Sequence, residues 1–357
     1  MIGGFAMIDR AEVFGTAVPV IQAPMAGGAA TPALVAAVSS AGGLGFLAAG
    51  YRTAAAVQEE ITAVRGRTDA PFGVNVFVPG PASTAADEAA VARYRDELAP
   101  EALRYGVAVP EEVAWDDDGW QEKIDLLVAE RVPVVSFTFG CPPAEIVARL
   151  QGAGSAVVVT VNTPSEALVA AEAGADALSV QGPDAGGHQT SFLPEESGAA
   201  SYVLPELVAS VREVVGLPLA AGGGITDGAG IASVLAAGAV AAQLGTAFLR
   251  TPESGAHPVY KAALADPAFA ETAFTRAFTG RRARGLLNRF MIEHEAGAPS
   301  CYPLVHQLTR GLRQAAAAQG DPHGMALWAG TGYRRAREVP AADLVRTLVD
   351  ETRAALG

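Results

Sequence analysis

One pattern constrains this chain more than any other: short apolar runs alternate with segments that carry helix-start and helix-stop signals. The runs are 19–25 (PVIQAPM), 44–48 (LGFLA), 72–78 (FGVNVFV), 133–138 (PVVSFT), 156–161 (AVVVTV), 177–181 (ALSVQ), 218–221 (PLAA) and 240–244 (VAAQL). They are too short for helices and too uniformly apolar for strands with one wet face, so they read as strands buried on both sides. Between them lie helical segments. Thr31-Pro32 places an N-cap and a first-turn proline ahead of a helix at 33–41. Thr163-Pro164-Ser165-Glu166 is a capping box that opens another, running to Gly174. Further helices are predicted at 53–65, 121–130, 144–150, 205–215 and 226–237, with a longer insertion after the sixth strand. Eight strands alternating with helices predict an α/β chain closed as a (β/α)8 TIM barrel, with a doubly wound open sheet as the alternative.

The expected organisation is a barrel core over 1–250, interrupted near 87–130 by a polar, tryptophan-containing helical insertion. A substrate-side cap segment over 251–335 follows, then a C-terminal helix over 336–357 packed on the barrel. The cap carries a basic stretch from Arg276 to Arg289 and a helix at 304–319. It is expected to be a helical extension of the same domain.

Half of the residues are hydrophobic and 18% are charged, below the usual quarter, so a large core is expected. Residues 13–51 and 228–249 hold no charge at all. Pro19, Pro24, Pro32 and several glycines break the first run, and Ser233, Gln243 and Thr246 the second. Neither has a basic flank, and no basic leader opens the chain, so both read as barrel core rather than membrane spans. A net charge of −13 argues against nucleic acid and anionic membranes as partners. Two cysteines, Cys141 and Cys301, make neither a disulfide framework nor a metal cluster, which fits a reducing, cytoplasmic setting. Oligomeric state is left open.

In such a barrel the functional groups gather at the C-terminal ends of the strands. Ala23, Pro24 and Met25 end the first strand, and Asn75 interrupts the third. Gln181 ends the sixth and leads into GPDAGGH, where Gly186 and Gly187 let the backbone approach a ligand and His188 presents an imidazole suited to proton transfer. Gly222 and Gly223 follow the seventh strand, and Gln243, Leu244, Gly245 and Thr246 close the eighth. Glycine-rich loops after strands seven and eight, with a helix starting at Thr226, would make a phosphate site of backbone amides. Asp227 would weakly oppose an anion there. The amides of Asn75 and Gln181 have two readings, a hydrogen bond to neighbouring backbone or contact with the polar edge of a heteroaromatic ring; the second is preferred. Met25 packs either on that ring or in the core. His257, His294 and His323 show no metal spacing and are expected at the surface, so no metal is predicted. Cys141 is expected to be an inert thiol beside the pocket.

Taken together, segments 22–50 (QAPMAGGAATPALVAAVSSAGGLGFLAAG), 73–77 (GVNVF), 182–188 (GPDAGGH), 221–225 (AGGGI) and 243–249 (QLGTAFL) resemble the nitronate monooxygenase family, formerly called 2-nitropropane dioxygenases. Residues 275–290 and 327–333 in the tail resemble it too. The resemblance implies a TIM barrel holding FMN without a metal, with Asn75, Gln181, Gly186, Gly223 and residues 243–246 among its contacts. It makes His188 the catalytic base and Tyr302 a substrate contact. The implied reaction is oxidation of a nitronate, or of a nitroalkane after loss of its α-proton, by O₂ to a carbonyl compound and nitrite. Propionate 3-nitronate is one substrate that would fit. An NAD(P)H-dependent flavin reductase, for quinones or enoyl-ACP, is the alternative on the same fold. A barrel that binds a phosphorylated ligand without redox chemistry is the third.

Overall fold

A computed structural model describes residues 14–192 and 202–357. The first thirteen residues and part of the insertion expected after the sixth strand lie outside the described residues. Eight parallel strands close into a barrel: β1 (Val20–Gln22), β2 (Leu44–Ala48), β3 (Gly73–Phe77), β4 (Val134–Thr138), β5 (Ala156–Val161), β6 (Ala177–Gln181), and, beyond a short β7 (Gly187–His188), β8 (Leu219–Gly222) and β9 (Ala241–Leu244). Pairing of β1 with β9, with Ile21 opposite Gln243, completes the closure that strand counting could not prove. The first strand is shorter than the apolar run suggested, because residues 23–25 already belong to the loop at the barrel mouth.

Strand periodicity sorts the residues. Val135, Phe137, Val157, Val159 and Leu178 point outward and are buried under the surrounding helices. The alternate positions face inward and change character along the axis. Ile21, Phe46, Val134, Val158 and Ala177 plug the N-terminal half with an apolar cluster. Higher up, Asn75, Ser136, Thr138, Thr160 and Ser179 replace them, and all are buried. The register sets Asn75 beside Ser136 and Thr160 beside Ser179, so the polar side chains form a ring beneath the mouth. A sealed floor and a polar upper layer place the site at the C-terminal end.

The polar stretch after β3 forms two helices, Ala85–Glu97 and Ala99–Tyr105, before the helix Trp120–Ala129 returns to the barrel. The segment after β9 is mostly helical but includes a hairpin that the sequence patterning does not reveal: β10 (Thr272–Thr275) and β11 (Ala283–Leu286), with β11 pairing antiparallel to β7. This hairpin occupies the basic stretch, and its pairing partner is the two-residue strand that carries His188. Insertion and extension share a second core of Tyr94, Leu98, Phe278, Phe290 and Leu304, pinned by the Arg289–Glu101 ion pair at 2.6 Å. His294, expected at the surface, is buried in this junction beside Phe290, because two distant segments converge there. His257 and His323 are exposed. The final helix, Ala341–Leu356, lies so close to the helix Gly228–Ala236 that a Cβ on Gly228 would fall 2.3 Å from the Glu351 backbone. Among the described residues no helix is long and apolar enough to cross a membrane.

Candidate active site

One cavity opens at the C-terminal end of the barrel, lined by residues at or just beyond the ends of all eight barrel strands and by residues from the extension. Of the residues singled out from the sequence, Ala23, Pro24, Met25, Asn75, Gln181, Gly186, Gly187, His188, Gly222, Gly223, Gln243, Gly245 and Thr246 all line it. Leu244 does not. Its side chain is buried between barrel and helices, as the outward position next to Gln243 requires, and its carbonyl accepts from Ala23 N at 2.9 Å. Tyr302 stands behind the wall, its ring edge-on to Phe139 and His188. It lies just ahead of the helix Leu304–Ala318, which begins where the sequence placed it.

The His188 loop is held from two directions. Gln181 Nε2 donates to His188 O at 2.9 Å, while its Oε1 accepts from Asn162 Nδ2 and from Thr190 N, both at 3.0 Å. The Gln181 amide is therefore spent largely on the loop, the first of the two readings for strand-end amides. Asn75 is different. Its Nδ2 donates to Ser136 O, Ser136 Oγ and Thr138 Oγ1 at 2.8–3.2 Å. A carbonyl among those partners fixes which amide atom is nitrogen, and Oδ1 remains as an acceptor toward the cavity. The second hold comes from the extension. Thr331 N donates to Asp184 O and Gly330 N to Thr246 Oγ1, so residues 330–331 stitch the loops after β6 and β9 together. A Cβ on Gly186 would lie 2.5 Å from Gly330 N, which is why only glycine lets these segments meet.

His188 Nε2 lies 2.9 Å from Thr279 Oγ1. The Thr279 hydroxyl donates to Arg281 O at 3.1 Å, so it accepts from His188 Nε2–H and leaves the imidazole lone pair on Nδ1. The ring is walled by Phe139, Tyr302 and Trp328 at 5.4–6.0 Å between centroids. Burial, reinforced by the positive charges of Arg281 and Arg313, pulls its pKa down to about 3, so it is a neutral imidazole at ordinary pH. His306 stacks on Tyr51 at 4.0 Å, and burial with Arg313 nearby holds it near 2. Tyr51 and Phe139 adopt φ of 66° and 74°, a conformation that costs side-chain-bearing residues about 1–3 kcal/mol and that clusters at functional sites. At Tyr51 it is held by Asp118, whose Oδ1 accepts from Tyr51 N at 2.9 Å and whose Oδ2 pairs with the fully buried Lys123 at 2.7 Å.

Sequence reasoning missed Tyr51, Phe139, Thr279, Arg313 and Trp328. The first two were reachable, since Phe139 directly follows β4 and Tyr51 lies three residues beyond the end of β2. The others come from the extension, and no local pattern marks them. Cys141, two residues beyond Phe139, is half-buried and outside the cavity, and burial pushes its thiol up to about 11, consistent with an inert group.

Beside the loop after β6, β8 runs into Gly222-Gly223-Gly224, with Gly223 at φ 140°. The following helix starts at Gly228, two residues later than expected. Asp227 caps it, with Oδ1 accepting from Gly230 N and Oδ2 paired with Arg335 at 2.6 Å. The positive end of that helix is thus already answered by a carboxylate, and an anion here would be held by the loop instead. Thr226 Oγ1 is buried with no hydrogen-bond partner among the described residues and belongs to the cavity wall. A donor without a partner beside a glycine loop fits a terminal phosphate.

A nitronate monooxygenase family model matches residues 10–351. The nitronate monooxygenase of Pseudomonas aeruginosa is 44% identical, the match covering 97% of this chain and 100% of that protein. A probable nitronate monooxygenase of Bacillus subtilis is 38% identical over 97% and 99%. Among solved structures, a nitroalkane oxidase from Streptomyces ansochromogenes superposes with a TM-score of 0.92 at 52% identity, covering 97% of this chain and 98% of that one. FabK from Thermotoga maritima gives 0.75 at 27%, covering 97% and 96%. A full-length family match, close relatives and a shared barrel agree, and the chain belongs to the nitronate monooxygenase family.

Proposed function

We propose that this protein oxidises nitronates, and nitroalkanes after removal of their α-proton, with O₂ to a carbonyl compound and nitrite, using FMN and with His188 as the base. The observation that carries the proposal is a neutral histidine facing a cavity in the nitronate monooxygenase family, with its Nε2–H anchored on Thr279 and its Nδ1 without a partner among the described residues. FMN fits the donor set. The glycine loops after β8 and β9 and Thr226 would hold its phosphate. Asn75 Oδ1 would accept from the ring edge, and Met25 lies where it can pack on the ring. When bound, the flavin supplies the electron chemistry.

The protein's own contribution is positional and electrostatic. A proton moving from the α-carbon to His188 Nδ1 leaves imidazolium beside a newly formed anion. Arg281 and Arg313 oppose the imidazolium but favour the anion, and the anion in turn supports the imidazolium. Phe139, Tyr302 and Trp328 shield the pair from water. A preformed nitronate bypasses this step.

The test is anaerobic mixing of purified, flavin-loaded protein with propionate 3-nitronate and, separately, with NADH or NADPH, followed in the visible range. Bleaching by the nitronate, with nitrite formed once air is admitted, is the expected outcome. Rapid bleaching by a pyridine nucleotide and none by the nitronate would transfer the assignment to a reductase.

A further inference from the structure

Tyr51 and His306 line the cavity as a stacked pair, with ring centroids 4.0 Å apart and planes within 3° of parallel. Tyr51 comes from the loop after β2 and His306 from the helix Leu304–Ala318. A stretch of the polar insertion, residues 114–118, bridges these two segments. On one side Asp118 Oδ1 accepts from Tyr51 N at 2.9 Å. On the other, Gln307, the neighbour of His306, accepts from Ala114 N at 3.2 Å and donates to Ala114 O at 2.8 Å and to Asp116 Oδ2 at 2.6 Å. One short loop thus grips the backbone of the first stacking residue and the side chain next to the second.

The hold on Tyr51 is firmly built. Tyr51 has φ 66°, a conformation that a tyrosine keeps only where its surroundings impose it. Asp118 is itself fixed: its N donates to Asp116 Oδ1 at 3.0 Å, and its Oδ2 lies 2.7 Å from Nζ of Lys123, which is fully buried in the helix Trp120–Ala129. A buried ion pair gives little net stability over an apolar pair of similar volume. Its use here is orientation, because drawing Oδ2 to Lys123 leaves Oδ1 aimed at Tyr51 N.

We propose that Asp118, oriented by Lys123, is a positioning residue: it holds the Tyr51–His306 stack in place as one wall of the cavity, and turnover depends on that wall. Neither Asp118 nor Lys123 is among the described residues that line the cavity, so both act through Tyr51. The dependence of turnover rests on the nitronate reading of the site, whereas the hold on the stack does not.

The experiment compares two double variants of the flavin-loaded protein, Asp118→Asn/Lys123→Met and Asp118→Ala/Lys123→Met. Both remove the two buried charges together, so neither leaves one uncompensated. They differ in that asparagine keeps a side-chain oxygen for Tyr51 N and alanine does not. Crystal structures are determined for both, and nitrite formation from propionate 3-nitronate is followed at steady state, with thermal midpoint and flavin content as controls. The asparagine variant should keep the rings stacked at 4.0 Å. In the alanine variant the Tyr51 ring should leave His306, and kcat/KM should fall roughly ten- to a hundredfold below that of the asparagine variant. A stack unchanged in the alanine variant would overturn the proposal. So would a lost stack with kcat/KM equal in the two variants. If the alanine variant does not fold, Gln307→Met takes its place, compared with the wild type by the same criteria; it cuts the loop from the other segment at a half-buried position. If the wild type forms no nitrite, the nitronate reading fails, and the crystal structures still decide whether Asp118 holds the stack.

Discussion

Two buried neutral histidines in one cavity make the stability of this protein sensitive to acid, and the effect can be isolated at His306. Its pKa is about 2 in the folded chain against an ordinary 6.5, for reasons of burial first and Arg313 second. The folded value is the lower one, so below pH 6.5 the unfolded chain binds the extra proton and the folded chain does not. The contribution to stability is therefore whole above about pH 6.5 and is lost as pH falls. Between pH 7 and pH 5 an unfolded imidazole becomes almost fully protonated while His306 stays neutral, a difference of about 2 kcal/mol. Asparagine cannot titrate, so His306→Asn should lose about 2 kcal/mol less than the wild type over that interval. At an unfolding entropy of about 2.1 cal/mol/K per residue, this corresponds to about 3 °C in the acid shift of the thermal midpoint. His188 and every carboxylate remain in both proteins and cancel to first order. The assay is the thermal midpoint at pH 7 and pH 5 for both proteins at matched flavin occupancy. An acid shift in His306→Asn equal to that of the wild type would refute the buried, neutral assignment.

Three further outcomes follow from contacts described above. His188→Asn should keep bound flavin and lose roughly 10²–10⁴ in turnover of neutral nitroalkanes, with a smaller loss on preformed nitronates; equal losses would mean that His188 does something other than deprotonate. Gly186→Ala places a methyl 2.5 Å from the Gly330 backbone, so the extension must move away from the loop, and flavin content of the purified protein should fall. Asp118→Asn leaves Lys123, which has 0% exposure, without its countercharge, and should cost about 3–5 kcal/mol in denaturant unfolding. A loss under 1 kcal/mol would show that Lys123 finds another solution.

The sequence alone determined the alternation of eight strands with helices and the part of the cavity wall that lies at the strand ends. Strand identity here is a local property: a strand buried on both faces must be apolar throughout, and the turn that follows must be rich in glycine, so β6 and the GPDAGGH loop are both legible from neighbouring residues. The same locality made Asn75 and the glycines after β8 and β9 stand out. Leu244 was misplaced because a motif is contiguous in sequence whereas alternate residues of a strand face opposite ways. Only the tertiary structure decided what surrounds His188. Thr279, Arg281, Arg313 and Trp328 come from more than ninety residues further along the chain, and they reach it because β11 pairs with a two-residue strand that has no signature of its own. The charge of the site is a tertiary property as well. Neutral histidines arise from burial and from proximity to Arg281 and Arg313 across distant segments, and neither quantity is written in the order of residues along the chain.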